Sequence, residues 1–211
     1  MNLQKLFEMQ AKLDADITAH HPVQEDENRL EKKVLALLVE LGECANEWRG
    51  FKFWSNDQKA RTKVEHLCVT CEGKGFVSES YDPDELDEFE TCINCNGVGK
   101  IGESNPLLEE YVDCLHFILS IGNDTGFAES YAPFISDLLG ANVTPLEAFN
   151  RTFRSVTRFE AKGSWKGLKD YARMFDDFLL LRNALGFTWK QVEQAYYDKN
   201  KVNFERQEQG Y

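Results

Sequence analysis

Residues 37–48 read LLVELGECANEW, and their pattern decides the fold. Leu37, Leu38, Leu41, Ala45 and Trp48 continue a stripe begun by Leu30 and Val34, the spacing of an amphipathic helix over about 26–49. Beside that stripe stand Glu40 and Glu43, an i,i+3 pair. Three residues of helix turn the chain by roughly 300°, so both carboxylates leave one strip of surface. A second stretch, PLLEEYVDCLHFIL (106–119), repeats the arrangement with Glu110 and Asp113. Two such helices side by side bring four carboxylates together against apolar residues. Anions so placed need protons or cations. An all-oxygen set suits a hard divalent ion, and Mg²⁺ in particular is held by a few carboxylates plus the phosphates of a substrate. The chain therefore reads as an enzyme of Mg²⁺-dependent phosphate chemistry.

The rest of the chain supports an all-α fold. Leu3, Leu6, Phe7, Leu13 and Ile17 mark a first helix over 2 to about 19, ended by His20-His21-Pro22. Asn105-Pro106 opens the second acidic helix, expected to run to Ile121-Gly122. Further helices are expected over Glu129 to Leu139, after Thr144-Pro145, and from Ser164 to about Leu185. Thr188-x-x-Gln191 is a capping box that opens a last one. Beyond Asp198 the tail is polar and basic without apolar periodicity. No strand pattern appears outside residues 66–100, where composition changes. The organisation expected is a helical core from 1–65 and 101–211, with 66–100 as an insert.

With 211 residues, 42% hydrophobic content and 15 Phe, the chain can bury a sizeable core. A formal charge of −12 argues against nucleic acid as a partner, since that requires a basic footprint. No apolar run is long enough for a membrane span and the amino terminus lacks the form of a signal peptide, so a cytoplasmic protein is expected. In that reducing compartment six cysteines read as metal ligands or core residues before disulfides.

The runs ELGECANEWRGFKFWS (40–55) and LLEEYVDCLHFILSIG (107–122) resemble the dimeric all-α dUTPases, which are MazG-like nucleotide pyrophosphohydrolases. FEMQAKLDADI (7–17) and the tail YDKNKVNFERQEQGY (197–211) extend the resemblance to nearly the whole chain outside the insert. It implies hydrolysis of dUTP to dUMP and pyrophosphate by a homodimer with two or three Mg²⁺ ions. Glu40, Glu43, Glu110 and Asp113 are the implied ligands, and Glu40 or Glu43 the base. It also implies that Lys199, Asn203, Arg206 and Tyr211 contact the nucleotide as a closing tail, and that Gln10 and Asn203 read the uracil edge. His116 and Phe117 pack on the nucleoside, with Trp54 lining the same pocket.

The insert carries its own motif. Cys68-x-x-Cys71-x-Gly73-x-Gly75 recurs as Cys92-x-x-Cys95-x-Gly97-x-Gly99. Paired knuckles of this spacing signal one structural Zn²⁺ held by four thiolates. The repeat resembles the zinc modules of DnaJ-type co-chaperones, although the chain lacks an HPD tripeptide and a Gly/Phe-rich linker. Two disulfides are the rival reading. The insert is also where a protein partner would dock. Cys44 and Cys114, without knuckle partners, are expected as core thiols. Two other functions stay open on sequence: a pyrophosphatase of another deoxynucleotide such as dCTP, or of NTPs broadly, and a zinc-dependent interaction or regulatory protein.

Overall fold

The computed structural model describes residues 2–78, 89–128, 143–159 and 165–210. The chain divides into two compact units, one formed by Met1–Ala60 with Leu107–Tyr211, the other by Arg61–Pro106. The second is wider than the expected insert at both ends.

The larger unit is helical. Among the described residues its helices are α1 (Leu3–His20), α2 (Arg29–Trp48), α3 (Pro106–Asp124), α4 (Pro145–Arg158), α5 (Trp165–Ala184) and α6 (Trp189–Glu208). The starts are fixed by side chains that accept orphan backbone N–H groups. Asn2 and Asn28 cap α1 and α2, and reciprocal capping boxes, Thr144 with Glu147 and Thr188 with Gln191, open α4 and α6. At the end of α2, Arg49 takes the left-handed conformation and closes the helix. The helix expected over Glu129 to Leu139 lies outside the described residues. No described helix is long and apolar enough to cross a membrane.

α3 is the hub of the core, with Tyr111, Val112, Cys114, Leu115, Ile118, Leu119 and Ile121 all buried. Leu6, Leu37, Leu41, Cys44, Phe149, Phe175, Phe178 and Tyr196 from the other helices join the same cluster. Tyr111 stacks on Phe178 at 4.3 Å, and its hydroxyl donates to the Phe178 carbonyl. That bond satisfies the one polar atom the burial of the ring would otherwise orphan. Both core thiols are fully buried, as expected.

Helix α3 does not stop at Gly122 but ends at Asp124, within two residues of the expected end. The glycine is there for close approach: a Cβ at this position would lie 2.2 Å from the Tyr171 hydroxyl and 2.9 Å from the Phe7 ring. Gly122→Ala should therefore destabilise the fold by about 1–3 kcal/mol through overpacking, read as a lower midpoint in urea with m unchanged. The tail is not aperiodic either, since α6 runs through it to Glu208. Its repeat is polar rather than apolar: Lys199, Asn203 and Arg206 recur at i, i+4 and i+7, one helix face. A search for apolar spacing misses such a face.

The smaller unit holds two antiparallel pairs, β1 (Val64–Leu67) with β4 (Lys100–Ser104) and β2 (Phe76–Ser78) with β3 (Phe89–Thr91). Its four cysteines are buried together with Val77 packed on them.

Candidate active site

α2 and α3 carry the acidic pairs, and the structure brings three of the four carboxylates together. One oxygen each from Glu40, Glu43 and Glu110 lie within 4.8 Å of one another. Octahedral oxygen ligands at about 2.1 Å from a small divalent ion stand about 3 Å apart in cis and about 4.2 Å in trans. The three side chains therefore fit such an ion with small adjustments. Asp113 is differently engaged: the Lys199 ammonium on α6 donates to it at 2.5 Å. The expected quartet is thus a trio plus an ion-paired fourth.

The electrostatics show the strain of this assembly. Burial, then the nearby charges of Asp113 and Glu43, push Glu40 up to about 7. Glu110 is pushed up to about 7 by burial and by Asp113, Glu43 and Glu40. Burial also raises Asp113, against the lowering pull of Lys199. These acids are held where a full set of negative charges is unfavourable without a cation.

A cleft of about 570 Å³ opens beside the acids, with Glu40 and Asp113 in its wall and Glu43 and Glu110 not. Gln10, His116, Phe117, Lys199, Asn203 and Arg206 line it too, so one side of α6 faces the end of the acidic site. Trp54 does not. Its side chain is 65% exposed and meets the rings of Phe51 and Phe53 edge-on. It follows the left-handed turn at Arg49, and none of residues 51–54 lines the cleft. Tyr211 lies outside the described residues.

Gln10 lines the cleft with its amide already engaged. Its amide nitrogen donates to Asp14 at 2.8 Å, which fixes the orientation of the amide. Its oxygen then accepts from the Tyr196 hydroxyl at 2.9 Å and from His116 Nδ1 at 2.8 Å. With Nδ1 as the donor, His116 Nε2 is a bare acceptor, buried and without a hydrogen-bond partner. Burial, with a smaller push from Lys199, lowers the imidazole to about 3, so the ring stays neutral. Tyr196 stacks on the ring at 4.2 Å and fixes its plane. The amide does not present a free acceptor to a ligand. The imidazole does.

Sequence reading missed the basic side of the cleft, formed by Arg29, Lys32 and Lys33. The signal was present: Lys33, Ala36, Glu40 and Glu43 follow one stripe of α2 at i, i+3, i+7 and i+10. Glu27 anchors this side through Arg29 at 3.1 Å and Lys32 at 3.2 Å. Lys33 reaches Asp124 at 2.6 Å.

Comparison with known protein families gives one match. A family model described as dUTPase matches residues 2–67 and 99–211. The unmatched residues, 68–98, contain all four knuckle cysteines. No curated protein matches the chain.

Proposed function

The chain belongs to the all-α dUTPase family, and from that premise we infer that it converts dUTP to dUMP and pyrophosphate with Mg²⁺ at Glu40, Glu43, Glu110 and Asp113. Hydrolysis of dUTP follows from membership itself. The observation that carries the rest is the convergence of three carboxylates from two helices beside a cleft lined by both acids and bases, Arg29, Lys32, Lys33, Lys199 and Arg206 among them. Mg²⁺ bound there neutralises triphosphate charge and acidifies a water.

The remaining work falls to the chain's own groups. Glu40, which faces the cleft where Glu43 does not, accepts the proton of the attacking water. Lys199 offers a compact charge to the phosphates and Arg206 a planar fork. Phe117 packs on the sugar. Asn203, on the same face of α6, contributes an amide to the base. A homodimer is part of this reading, supported by the family likeness and by exposed Leu35, Val39, Phe53 and Trp54 on α2 and the turn after it.

Base selection rests on His116. Uracil carries a hydrogen on N3 and cytosine does not, so a fixed acceptor in the wall favours uracil and repels cytosine. Nε2, unpartnered but buried in the substrate-free protein, becomes such an acceptor when a bound base opens the wall over it, and Gln10 is a positioning residue that sets its tautomer. A site built to pair with a donor rejects an analogue lacking it strongly, because the buried group is then left unpaired. Pyrophosphate release should be measured on dUTP, dCTP, dTTP and UTP with Mg²⁺, for the parent and His116→Phe. The parent should prefer dUTP to dCTP by 100-fold or more in kcat/KM, and the variant should lose at least tenfold of that preference. Equal rates on dUTP and dCTP by the parent would refute uracil selection, and an unchanged ratio in the variant would remove His116 from it.

The raised acids also set a pH dependence. Glu40 and Glu110 hold protons in the fold up to about 7, against an ordinary 4.5. Between those values the folded state binds more protons than the unfolded one, so stability falls as pH rises through the window. Without divalent ions, the melting temperature should decline from pH 5 to pH 8. Mg²⁺ should raise it at pH 8 and do little at pH 5. A profile flat in both conditions would mean that the acids do not share a site.

A further inference from the structure

The cysteine unit is not absorbed by nucleotide hydrolysis, and it has an internal order that names its ligand. We propose that Cys68, Cys71, Cys92 and Cys95 hold a single Zn²⁺ as four thiolates, and that this ion is what folds residues 61–78 and 89–106 together. This does not rest on the catalytic reading above.

The sulfurs are placed for it. Cys68 Sγ lies 3.8 Å from Cys92 Sγ, and Cys71 Sγ lies 3.6 Å from Cys95 Sγ. All four fall within 4.8 Å of one another. Zn–S bonds of about 2.3 Å in a tetrahedron give edges of about 3.8 Å. A disulfide would need its sulfurs at about 2.05 Å.

The backbone around them is a two-fold repeat. Gly75 N–H donates to Cys71 Sγ and Gly99 N–H to Cys95 Sγ, both at 3.2 Å. Cys68 N–H donates to the Gly99 carbonyl, and Cys92 N–H to the Gly75 carbonyl, both at 2.9 Å. Each knuckle thus closes on the last glycine of the other. Glu72 and Asn96 take matching left-handed conformations, φ 51° and 50°. Side chains are excluded at the crossing: a Cβ on Gly75 would meet the Gly97 carbonyl oxygen at 2.4 Å, and one on Gly99 the Gly73 oxygen at 2.3 Å. Amides aimed at sulfur favour the thiolate, the form that binds metal.

Among the described residues of this unit, nothing apolar substitutes for the ion. The buried cluster of this unit is the four cysteines with Val77 against them, while Leu67, Val69, Ile93, Val98 and Ile101 are all exposed. A unit this small without an apolar core requires a staple. Binding releases thiol protons, and four sulfurs fill the coordination sphere, so no position stays open for substrate. The ion is structural.

The test uses the full chain. Metal analysis of protein purified under reducing conditions should give one zinc per chain, and Cys92→Ser should carry less than a tenth of that. Reconstitution with Co²⁺ should give a thiolate-to-cobalt charge-transfer band and a tetrahedral d–d pattern, both absent in the variant. Stripping zinc from the parent should open protease sites within 61–106 while the helical circular-dichroism signal persists, since the helices belong to the other unit. Iron in place of zinc, or a mass lower by two hydrogens per disulfide, would overturn the assignment. Loss of the helical signal on stripping, or no new cleavage, would overturn the folding role.

Discussion

Glu40→Gln should lower kcat for dUTP by about 10²–10⁴-fold, the range for loss of a positioned acid–base group. The glutamine keeps the shape and a coordinating oxygen but removes the charge and the basicity. Glu40 sits in both sets that matter, the carboxylate trio and the cleft wall. Glu43→Gln removes a member of the trio that does not line the cleft, so its loss should be recovered in part by raising Mg²⁺. The Glu40 loss should not. Single-turnover rates across a Mg²⁺ titration separate the two cases. If saturating Mg²⁺ restored Glu40→Gln to within tenfold of the parent, Glu40 would be a ligand and some other group the base.

Lys199→Met should change two affinities in opposite directions. The ammonium holds Asp113 at 2.5 Å and stands in the cleft wall. Removing it frees a carboxylate beside Glu40 and Glu110, so Mg²⁺ should bind the substrate-free protein several-fold more tightly. The same change removes a cation facing the triphosphate, so kcat/KM for dUTP should fall about 100-fold, roughly 2.7 kcal/mol of transition-state stabilisation. Calorimetry of Mg²⁺ binding and steady-state kinetics read the two effects separately. Mg²⁺ affinity unchanged by the substitution would show that Asp113 stays outside the cation site.

How much of this was legible beforehand follows from the range of each interaction. α2 and α3 were readable because stripe, acids and caps all lie within one element. Glu40 with Glu43, and Glu110 with Asp113, were readable as pairs for the same reason, since i,i+3 spacing fixes which side chains share a strip; that Glu110 joins the first pair while Asp113 turns to Lys199 was not. What was hidden depends on residues far apart in sequence. Asp113 and Lys199 are 86 positions apart, and Gln10 and His116 are 106 apart. No local pattern reveals that Gln10 has its oxygen engaged by His116 and Tyr196, or that Lys199 holds an acid expected to bind metal. The α6 face was missed for another reason: its period is helical but its residues are polar, and the usual signal is apolar. Trp54 is absent from the cleft lining of the single chain, and it lies beyond the left-handed residue that ends α2, where helical spacing no longer predicts position.

The pairing of β1 with β4 puts Val64 directly across from Ser104. Opposed residues of an antiparallel ladder are only about 5 Å apart, so the chain departs and returns through adjacent points. Length added or removed beyond that ladder leaves the two ends of the segment side by side. That is how a lineage could graft this segment between two helices that must keep their mutual register.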